Sequence, residues 1–376
     1  MLGAEIERLR SLDGIKWTKE ADDVLPAWVA DMDFESPPAV KAAMQAVIDR
    51  GDFGYNLVTR DQLVTTWGDW QEQHFGWRPP EDECKVFTAT LNTLSMTLEM
   101  MTEPGDGVVL FTPIYHPFRA ITEDSGRRIV DVPLDGPDWH LDAERFESII
   151  DDNTKIVLFC NPHNPLGRVF DQDELAGFVD VCLRHDLLVI ADEIWCDLTH
   201  EPKHLPLAHH FPAIAERSVT LGSASKSFSL AGLRTSVAHL GDPRVRAAFD
   251  ALPGHFVGAP NTLGAEATHA AWTQCQPWLD QVKQQLTANR DHLLARIASD
   301  LPGVTMHTPE ATYLAWMDFA DTSIATDPAE AILERGRVSL HAGSKFSPAW
   351  ASHVRLNFAT SPAILDQIID RIASTL

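Results

Sequence analysis

The feature that most constrains the fold is a set of short, nearly continuous apolar runs, each bounded by turn-forming residues. They are "GVVLFTP" (107–113), "KIVLFCNP" (155–162), "LLVIADE" (187–193) and "SVTLGSAS" (218–225). A strand buried on both faces of a parallel sheet has this pattern, because neither face meets water. Helical patterns such as "DQDELAGFVDVCLRHD" lie between the runs and begin with an Asp capping signal. The sequence therefore predicts an α/β fold with a mostly parallel sheet.

A change of pattern near residue 285 indicates a second, smaller domain. The stretch "QPWLDQVKQQLTANRDHLLARIASDLPG" predicts one long helix, and "ATYLAWMDF" and "HVRLNFA" predict strands of an α+β unit after it. The first ~40 residues are irregular and rich in proline at "ESPPAV". We therefore expect a large α/β domain at 45–285 and a small α+β domain formed by 1–44 and 286–376.

Charge and composition exclude several classes of partner. The formal net charge of −24 disfavours binding to nucleic acid or to an anionic membrane. No run of about 18 apolar residues occurs, and the first residues lack the apolar core of a signal peptide. The five cysteines form no CxxC pair, and the sixteen histidines show no spacing typical of a metal site. We expect a cytoplasmic protein without a metal.

Polar residues follow three of the predicted strands. The run "LFC" leads into "NPHNPLGR", "VIA" into "DEIW" and "VTLG" into "SASK". Taken singly, these residues are explained as turns, a helix cap and a surface lysine. However, the carboxyl ends of parallel strands meet at one edge of the sheet, where open α/β folds carry their sites. We therefore expect Asn161, Asp192 and Lys226 to lie together.

One cofactor, pyridoxal phosphate, needs such a set of residues. It requires a lysine for its Schiff base, a carboxylate at its pyridine nitrogen and a donor to its phenolate oxygen. It also requires an aromatic ring against its face, and hydroxyls and an arginine around its phosphate. The residues predicted for these roles are, in that order, Lys226, Asp192, Asn161, Tyr115, Ser223 and Arg234.

The chain resembles fold-type I pyridoxal-phosphate enzymes. Within them it is similar to the MalY/PatB-type cystathionine β-lyases (C–S lyases) of the class I/II aminotransferase clan. Seven motifs carry the resemblance, in order along nearly the whole chain: "LPAWVADMDFESPP", "FGYN", "EPGDGVVLFTPIYHPF", "NPHNPLGRV", "ADEIW", "SASKSFSLAGLR" and "VRLNFAT". The motif "WVADMDF", with His163 and Arg168, favours the lyase branch over plain aminotransferases. The resemblance implies the fold-type I architecture and a homodimer with shared active sites.

The resemblance also implies roles for two further residues. Arg355 holds the substrate carboxylate, and Tyr55 reaches the cofactor and substrate from the other subunit. From the sequence alone, Arg355 has an alternative role in a structural ion pair, because an unpaired guanidinium is costly to bury. A bidentate clamp on a carboxylate makes better use of the planar arginine fork.

The chain departs from the family pattern at two cofactor-binding positions. Trp195 stands where the family usually has histidine and aminotransferases have tyrosine, and its indole donates a hydrogen bond but accepts none. The family usually has a glycine near Thr90. We still expect the backbone amides of Thr90 and Leu91 to meet the phosphate where a helix begins.

The implied activity is β-elimination from L-cystathionine or related cysteine S-conjugates, giving a thiol such as homocysteine, pyruvate and ammonia. An aminotransferase is the alternative, because both reactions begin with removal of the α-proton. A second alternative is a non-catalytic regulatory protein that retains the fold. The presence of both Lys226 and Asp192 argues against it.

Overall fold

A computed structural model describes residues 5–134, 136 and 138–376. Its helices are α1 Ile6–Arg10, α2 Ile15–Thr18, α3 Pro38–Arg50, α4 Val58–Phe75, α5 Thr90–Met101, α6 His116–Asp124, α7 Ala143–Ile149, α8 Gln172–Arg184, α9 Leu207–His210, α10 Pro212–Ala215, α11 Pro243–Ala251, α12 Gly254–Val257, α13 Thr262–Gln274, α14 Gln276–Asp300, α15 Pro328–Ala331 and α16 Pro362–Ala373. Its strands are β1 Leu25–Pro26, β2 Cys84–Phe87, β3 Gly107–Thr112, β4 Arg128–Pro133, β5 Thr154–Cys160, β6 Leu188–Asp192, β7 Ser218–Gly222, β8 Ser236–Leu240, β9 Thr305–Met306, β10 Leu314–Asp318, β11 Val338–Ser339, β12 His341–Ala342 and β13 His353–Asn357. No helix in these ranges is both long enough and apolar enough to cross a membrane.

The largest sheet has seven strands in the order β2-β8-β7-β6-β5-β3-β4. The strands from β7 to β4 are mutually parallel, while β8 is antiparallel to both β7 and β2. The four apolar runs correspond to β3, β5, β6 and β7, which lie side by side. The predicted α/β class and the mostly parallel sheet are therefore confirmed.

Both faces of this sheet are buried, which explains why its strands are apolar throughout. Along β3, Val108 and Leu110 belong to one core cluster, while Val109 and Phe111 belong to the other. Side chains alternate between the faces of a strand, so each strand contributes to both clusters. Full burial of one such side chain stabilises the fold by about 1.5–3 kcal/mol.

A smaller antiparallel sheet of order β12-β13-β10-β9 follows the long helix α14. That helix has 25 residues and is about 37 Å long, as its sequence pattern predicted. Strand β1 pairs with β11, which attaches the N-terminal segment to this second region. The predicted boundary at residue 285 falls inside α14, and the division into two domains stays a prediction.

Candidate active site

A cavity lies at the carboxyl ends of the parallel strands. Cys160 at the end of β5, Asp192 at the end of β6 and Ser223 after β7 all line it. Cys160 and Asp192 are direct neighbours in the register of β5 and β6. The cavity is therefore at the sheet edge that the sequence indicated.

Lys226 lines this cavity, four residues after β7. Its ammonium group donates a hydrogen bond of 2.9 Å to the carbonyl oxygen of Ala30 and lies 5.5 Å from the ring centroid of Trp195. Burial lowers the pKa of Lys226 to about 8, although the carboxylates of Asp31 and Asp192 oppose the shift. A lysine with this pKa is partly neutral near pH 8, so its amine can act as a nucleophile or a base.

Asp192 supplies a carboxylate on the wall of the same cavity. It is buried, and its Oδ1 accepts a hydrogen bond of 3.2 Å from the backbone N–H of Ile194. Burial raises the pKa of Asp192 to about 6, while the Ile194 amide and Lys226 act in the opposite direction. Above pH 6 the group is therefore mainly an ionised carboxylate that can pair with a protonated ring nitrogen.

The beginning of α5 forms one end of the cavity. Thr90 and Leu91, the first residues of the helix, line it together with Thr88 and Ala89. Ala89 is the capping residue and has no side chain that could bond the first amides. The first amides of a helix have no partner within it, and the helix dipole favours an anion at this end.

Arg234 and Ser223 line the cavity with this helix start. In the described part of the chain, no carboxylate lies within 4.0 Å of the Arg234 guanidinium. The hydroxyl of Ser223 accepts a hydrogen bond from the Ser225 amide and donates one to the Thr235 carbonyl. An unpaired arginine, a helix start and nearby hydroxyls are groups that bind a phosphate.

Two aromatic rings provide apolar walls. Tyr115 follows β3 at the start of α6, and burial raises the pKa of its phenol. Trp195 is buried and packs edge-on against Tyr313, with ring centroids 4.9 Å apart. A flat heterocycle can lie between such walls.

Arg355 lies behind the cavity on β13 and is only 2% exposed. Its guanidinium donates to the Asn164 side-chain oxygen (2.9 Å), the Trp28 carbonyl (2.9 Å) and Nδ1 of His341 (3.2 Å). No carboxylate in the described ranges lies within 4.0 Å of it, so the structural ion pair is ruled out there. Burial lowers the pKa of Arg355 to about 10, and the group keeps a positive charge that no protein anion neutralises.

The predicted contact of Asn161 with the cofactor stays a prediction, because the structure does not place this residue on the cavity wall. Asn161 is buried and does not line the cavity, and its side-chain oxygen accepts from the Phe170 amide at 3.2 Å. The reason is strand alternation: Cys160 faces the cavity, so the next residue faces the other side. Asn164 lines the cavity instead and contacts Arg355. It is the site residue that the sequence analysis missed.

His163 and Arg168, which favour the lyase branch by resemblance, lie outside the cavity. The buried His163 ring contacts the Phe111 carbonyl with its Nε2 at 3.3 Å. Arg168 bridges the carboxylates of Glu174 (2.9 Å) and Glu310 (3.0 Å). Both residues hold the loop after β5 through contacts within the chain.

Tyr55 is also outside the cavity of its own subunit. It lies in the loop between α3 and α4, and its side chain is fully exposed, at 106% of the reference area. Its predicted role at the active site of a second subunit stays a prediction.

The fold and the site together define a class. Residues 82–372 match the family model described as aminotransferase class I and II. The chain is 34% identical to the cystathionine β-lyase PatB of Bacillus subtilis, over 98% of each chain. It therefore belongs to the aminotransferase class I and II family, in the group of relatives named cystathionine β-lyases.

Two solved structures are similar over nearly the whole chain. One is a putative PLP-dependent β-cystathionase from Corynebacterium diphtheriae, with a TM-score of 0.94 and 30% identity, covering 100% of this chain and 98% of the other. The second is the PLP-bound C–S lyase from Staphylococcus hominis, with a TM-score of 0.91 and 25% identity, covering 96% and 95%.

Proposed function

We propose that the protein is a pyridoxal-phosphate-dependent C–S β-lyase. It cleaves L-cystathionine or a related cysteine S-conjugate, with water, to a thiol, pyruvate and ammonia. The observation that carries this proposal is the buried Lys226, with a pKa of about 8, in one cavity with the Asp192 carboxylate. The names and cofactors of the similar lyases support it.

The residues around the cavity fit this cofactor in each of its parts. Asp192 would pair with the pyridine nitrogen, and the side-chain amide of Asn164 would contact the phenolate oxygen, the role predicted for Asn161. The remaining contacts fall to the aromatic walls and to the anion-binding end of the cavity: Tyr115, Trp195, Thr90, Leu91, Ser223 and Arg234. When bound, the cofactor withdraws electrons from the substrate α-carbon.

Two residues of the chain act directly on the substrate. Arg355, held by Asn164 and His341, binds the α-carboxylate and orients the α-carbon toward Lys226. The neutral amine of Lys226 accepts the α-proton, and its pKa of about 8 makes the amine available near neutral pH. The bond between the β-carbon and sulfur then breaks, and the thiolate leaves with the electron pair.

An aminotransferase shares the first proton transfer, so an experiment must separate the two reactions. Purified protein is mixed with L-cystathionine in a coupled lactate-dehydrogenase assay, with and without 2-oxoglutarate. We expect stoichiometric pyruvate, ammonia and homocysteine without the keto acid, because elimination needs no amino acceptor. L-alanine, which has no leaving group, serves as the control. Pyruvate that appears only with 2-oxoglutarate, or faster turnover of L-alanine, contradicts the lyase.

We also propose a cytoplasmic homodimer in which Tyr55 enters the partner's cavity. Phe53, Tyr55, Leu57 and Phe256 are large apolar side chains that are more than half exposed in the single chain. The loop that carries Tyr55 is held by a hydrogen bond from the Thr262 hydroxyl to the Gly54 carbonyl. Large apolar side chains that are exposed in the single chain suit a subunit interface.

A further inference from the structure

A second cavity is lined in part by the segment after β6, which also contributes Ile194 and Trp195 to the candidate active site. Trp70, His74 and Phe75 on α4 line it, together with His204 and with Lys283 on α14. It is distinct from the first cavity, and no predicted site residue lines it. Its chemistry is not used by the proposed reaction.

Several buried polar atoms on its walls have no partner. His204 is 2% exposed, and its Nδ1 makes no hydrogen bond with any residue that the structure describes. The same holds for Nε2 of His74 and for the side-chain oxygen of Gln276. Most buried polar atoms in proteins are paired, so a cluster of unpaired ones on a cavity wall points to a missing ligand.

The cavity also holds two unpaired cations. Lys203 and Lys283 both line it, and in the described part of the chain neither has a carboxylate within 4.0 Å. Lys203 is exposed, while Lys283 is half-buried. The carboxylate of Asp197, also on the wall, is already satisfied by the Trp70 indole N–H (2.9 Å) and the Ser227 hydroxyl (2.7 Å). The wall therefore carries two ammonium groups against one carboxylate, a formal excess of one positive charge that favours an anion.

Aromatic rings form much of the remaining wall. The Trp70 and His74 rings pack with centroids 4.0 Å apart. The Phe75 and His204 rings meet edge-to-face at 5.7 Å. These rings offer an apolar surface beside the two ammonium groups, which suits an organic anion better than an inorganic one.

We propose that this second cavity binds a small organic carboxylate. The carboxylate lies between Lys203 and Lys283, its apolar part packs on Trp70 and Phe75, and the free nitrogens of His74 and His204 donate or accept the remaining hydrogen bonds. A carboxylate satisfies the two lysines at once, and charge-assisted hydrogen bonds are the strong ones.

Occupation of the cavity is linked to the candidate active site by two contacts. Asp197 joins the Trp70 indole to Ser227, and Ser227 is adjacent to Lys226. His204 lies 3.1 Å from the carboxylate of Glu193, which is adjacent to Asp192. A carboxylate bound against Trp70 and His204 therefore alters the contacts that position Lys226 and Asp192. This coupling rests on the proposed function. By reciprocity, the cofactor and the carboxylate alter each other's affinity by the same factor.

The probe for this site is benzoate, titrated by calorimetry into the Arg355→Gln protein, in which the carboxylate clamp of the active site is removed. We expect one saturable site. Lys283→Met and Lys203→Met should each weaken binding by at least about tenfold. Lys155→Met is the matched control and should bind as before, because Lys155 is an exposed lysine that bonds only the Asp152 carbonyl. Neutral benzamide should bind at least about tenfold more weakly than benzoate.

The affinity for pyridoxal phosphate is measured in the same proteins with and without benzoate. We expect benzoate to change the affinity of the Arg355→Gln protein for pyridoxal phosphate. In the double variant Arg355→Gln with Lys283→Met, benzoate should leave that affinity unchanged. The site is overturned if benzoate shows no saturable binding, or if Lys203→Met and Lys283→Met bind benzoate as tightly as the Arg355→Gln protein without them. An unchanged cofactor affinity overturns the coupling. Pyruvate formation by the unmodified protein tests the proposed function separately, since it does not depend on benzoate.

Discussion

At the scale of single residues, the buried charges of Asp192 and Lys226 set the conditions under which the site can work. Burial raises the pKa of Asp192 to about 6 and lowers the pKa of Lys226 to about 8. Between these values the carboxyl is ionised, and the amine becomes increasingly neutral toward pH 8. This range favours both the pairing of Asp192 with a ring nitrogen and proton removal by Lys226.

The Asp192 carboxylate should make cofactor binding dependent on pH. Below its pKa of about 6 the carboxyl is neutral and loses its attraction for a protonated ring nitrogen; above it the attraction is complete. We expect the wild-type protein to bind pyridoxal phosphate about 10–100-fold more tightly than Asp192→Asn at pH 8. That ratio should fall toward one at pH 5. Taking the ratio in fluorescence titrations cancels the titration of the cofactor itself, and a ratio independent of pH would exclude this role.

The two asparagines of the loop after β5 should differ in their effects. Asn164→Ala removes the acceptor that holds Arg355, so we expect KM for the amino acid to rise by about 10–100-fold. Asn161→Ala removes only the bond to the Phe170 amide, so we expect a lower Tm and little change in KM. Steady-state kinetics and thermal unfolding of both variants make the comparison. A larger rise in KM for Asn161→Ala than for Asn164→Ala would mean that Asn161 is the asparagine that acts at the active site.

Sequence reasoning located the strand end but not which asparagine faces the cavity. Both asparagines precede a proline, and composition cannot separate them. Alternation along β5 was available as a signal, because Cys160 and Asn161 must face opposite sides of the sheet. Asn164 was harder to assign, since it lies in irregular backbone that returns toward the cavity. Its partner Arg355 is 191 residues away, a contact that no local pattern reveals.

At the scale of elements, the loop after β5 joins the large sheet to the segment before β10. The Gly167 carbonyl accepts hydrogen bonds of 2.8 Å from the amides of both Glu310 and Ala311. Arg168 reinforces this junction through Glu174 and Glu310. The loop that carries Asn164 is thereby fixed against the region that carries Arg355.

Gly167 is required at this junction for two reasons. Its φ is +70°, and a Cβ there would lie 2.8 Å from the Ala311 carbonyl oxygen. We therefore expect Gly167→Ala to destabilise the protein by more than the ~1–3 kcal/mol that a positive φ alone costs. Gly51→Ala is the control, because φ is +64° there and no atom lies within 4 Å of the added Cβ. Equal losses of Tm in the two variants would show that the close contact carries no cost.

Elements were easier to predict than their contacts. Burial requires apolar residues at regular positions, so it can be recognised in the sequence. This explains why the strands β3, β5, β6 and β7 and the helix α14 were predictable. The antiparallel edge formed by β2 and β8 joins segments about 150 residues apart, so it leaves no such mark. His163 and Arg168 were associated with lyase chemistry by resemblance, whereas their contacts are structural.

At the scale of the whole molecule, the proposed dimer predicts that each candidate site is completed by a residue of the partner subunit. Tyr55 is fully exposed, and the cavity residues of the same chain do not include it. Phe53 and Leu57 are exposed in the same loop as Tyr55, and Phe256 is exposed on α12. In the proposed two-fold dimer we expect these side chains to be buried against the second copy and each Tyr55 to reach the neighbouring site.

Complementation between two inactive variants tests this arrangement. We expect Tyr55→Phe and Lys226→Ala each to lose most pyruvate formation from L-cystathionine. In a mixed dimer one site receives both substitutions, while the other combines the intact Lys226 of one subunit with the intact Tyr55 of its partner. Random exchange makes half of the dimers mixed, so the mixture should recover about a quarter of wild-type activity. Subunit exchange is verified by native mass spectrometry. Complete exchange without recovered activity would mean that Tyr55 serves its own subunit or none.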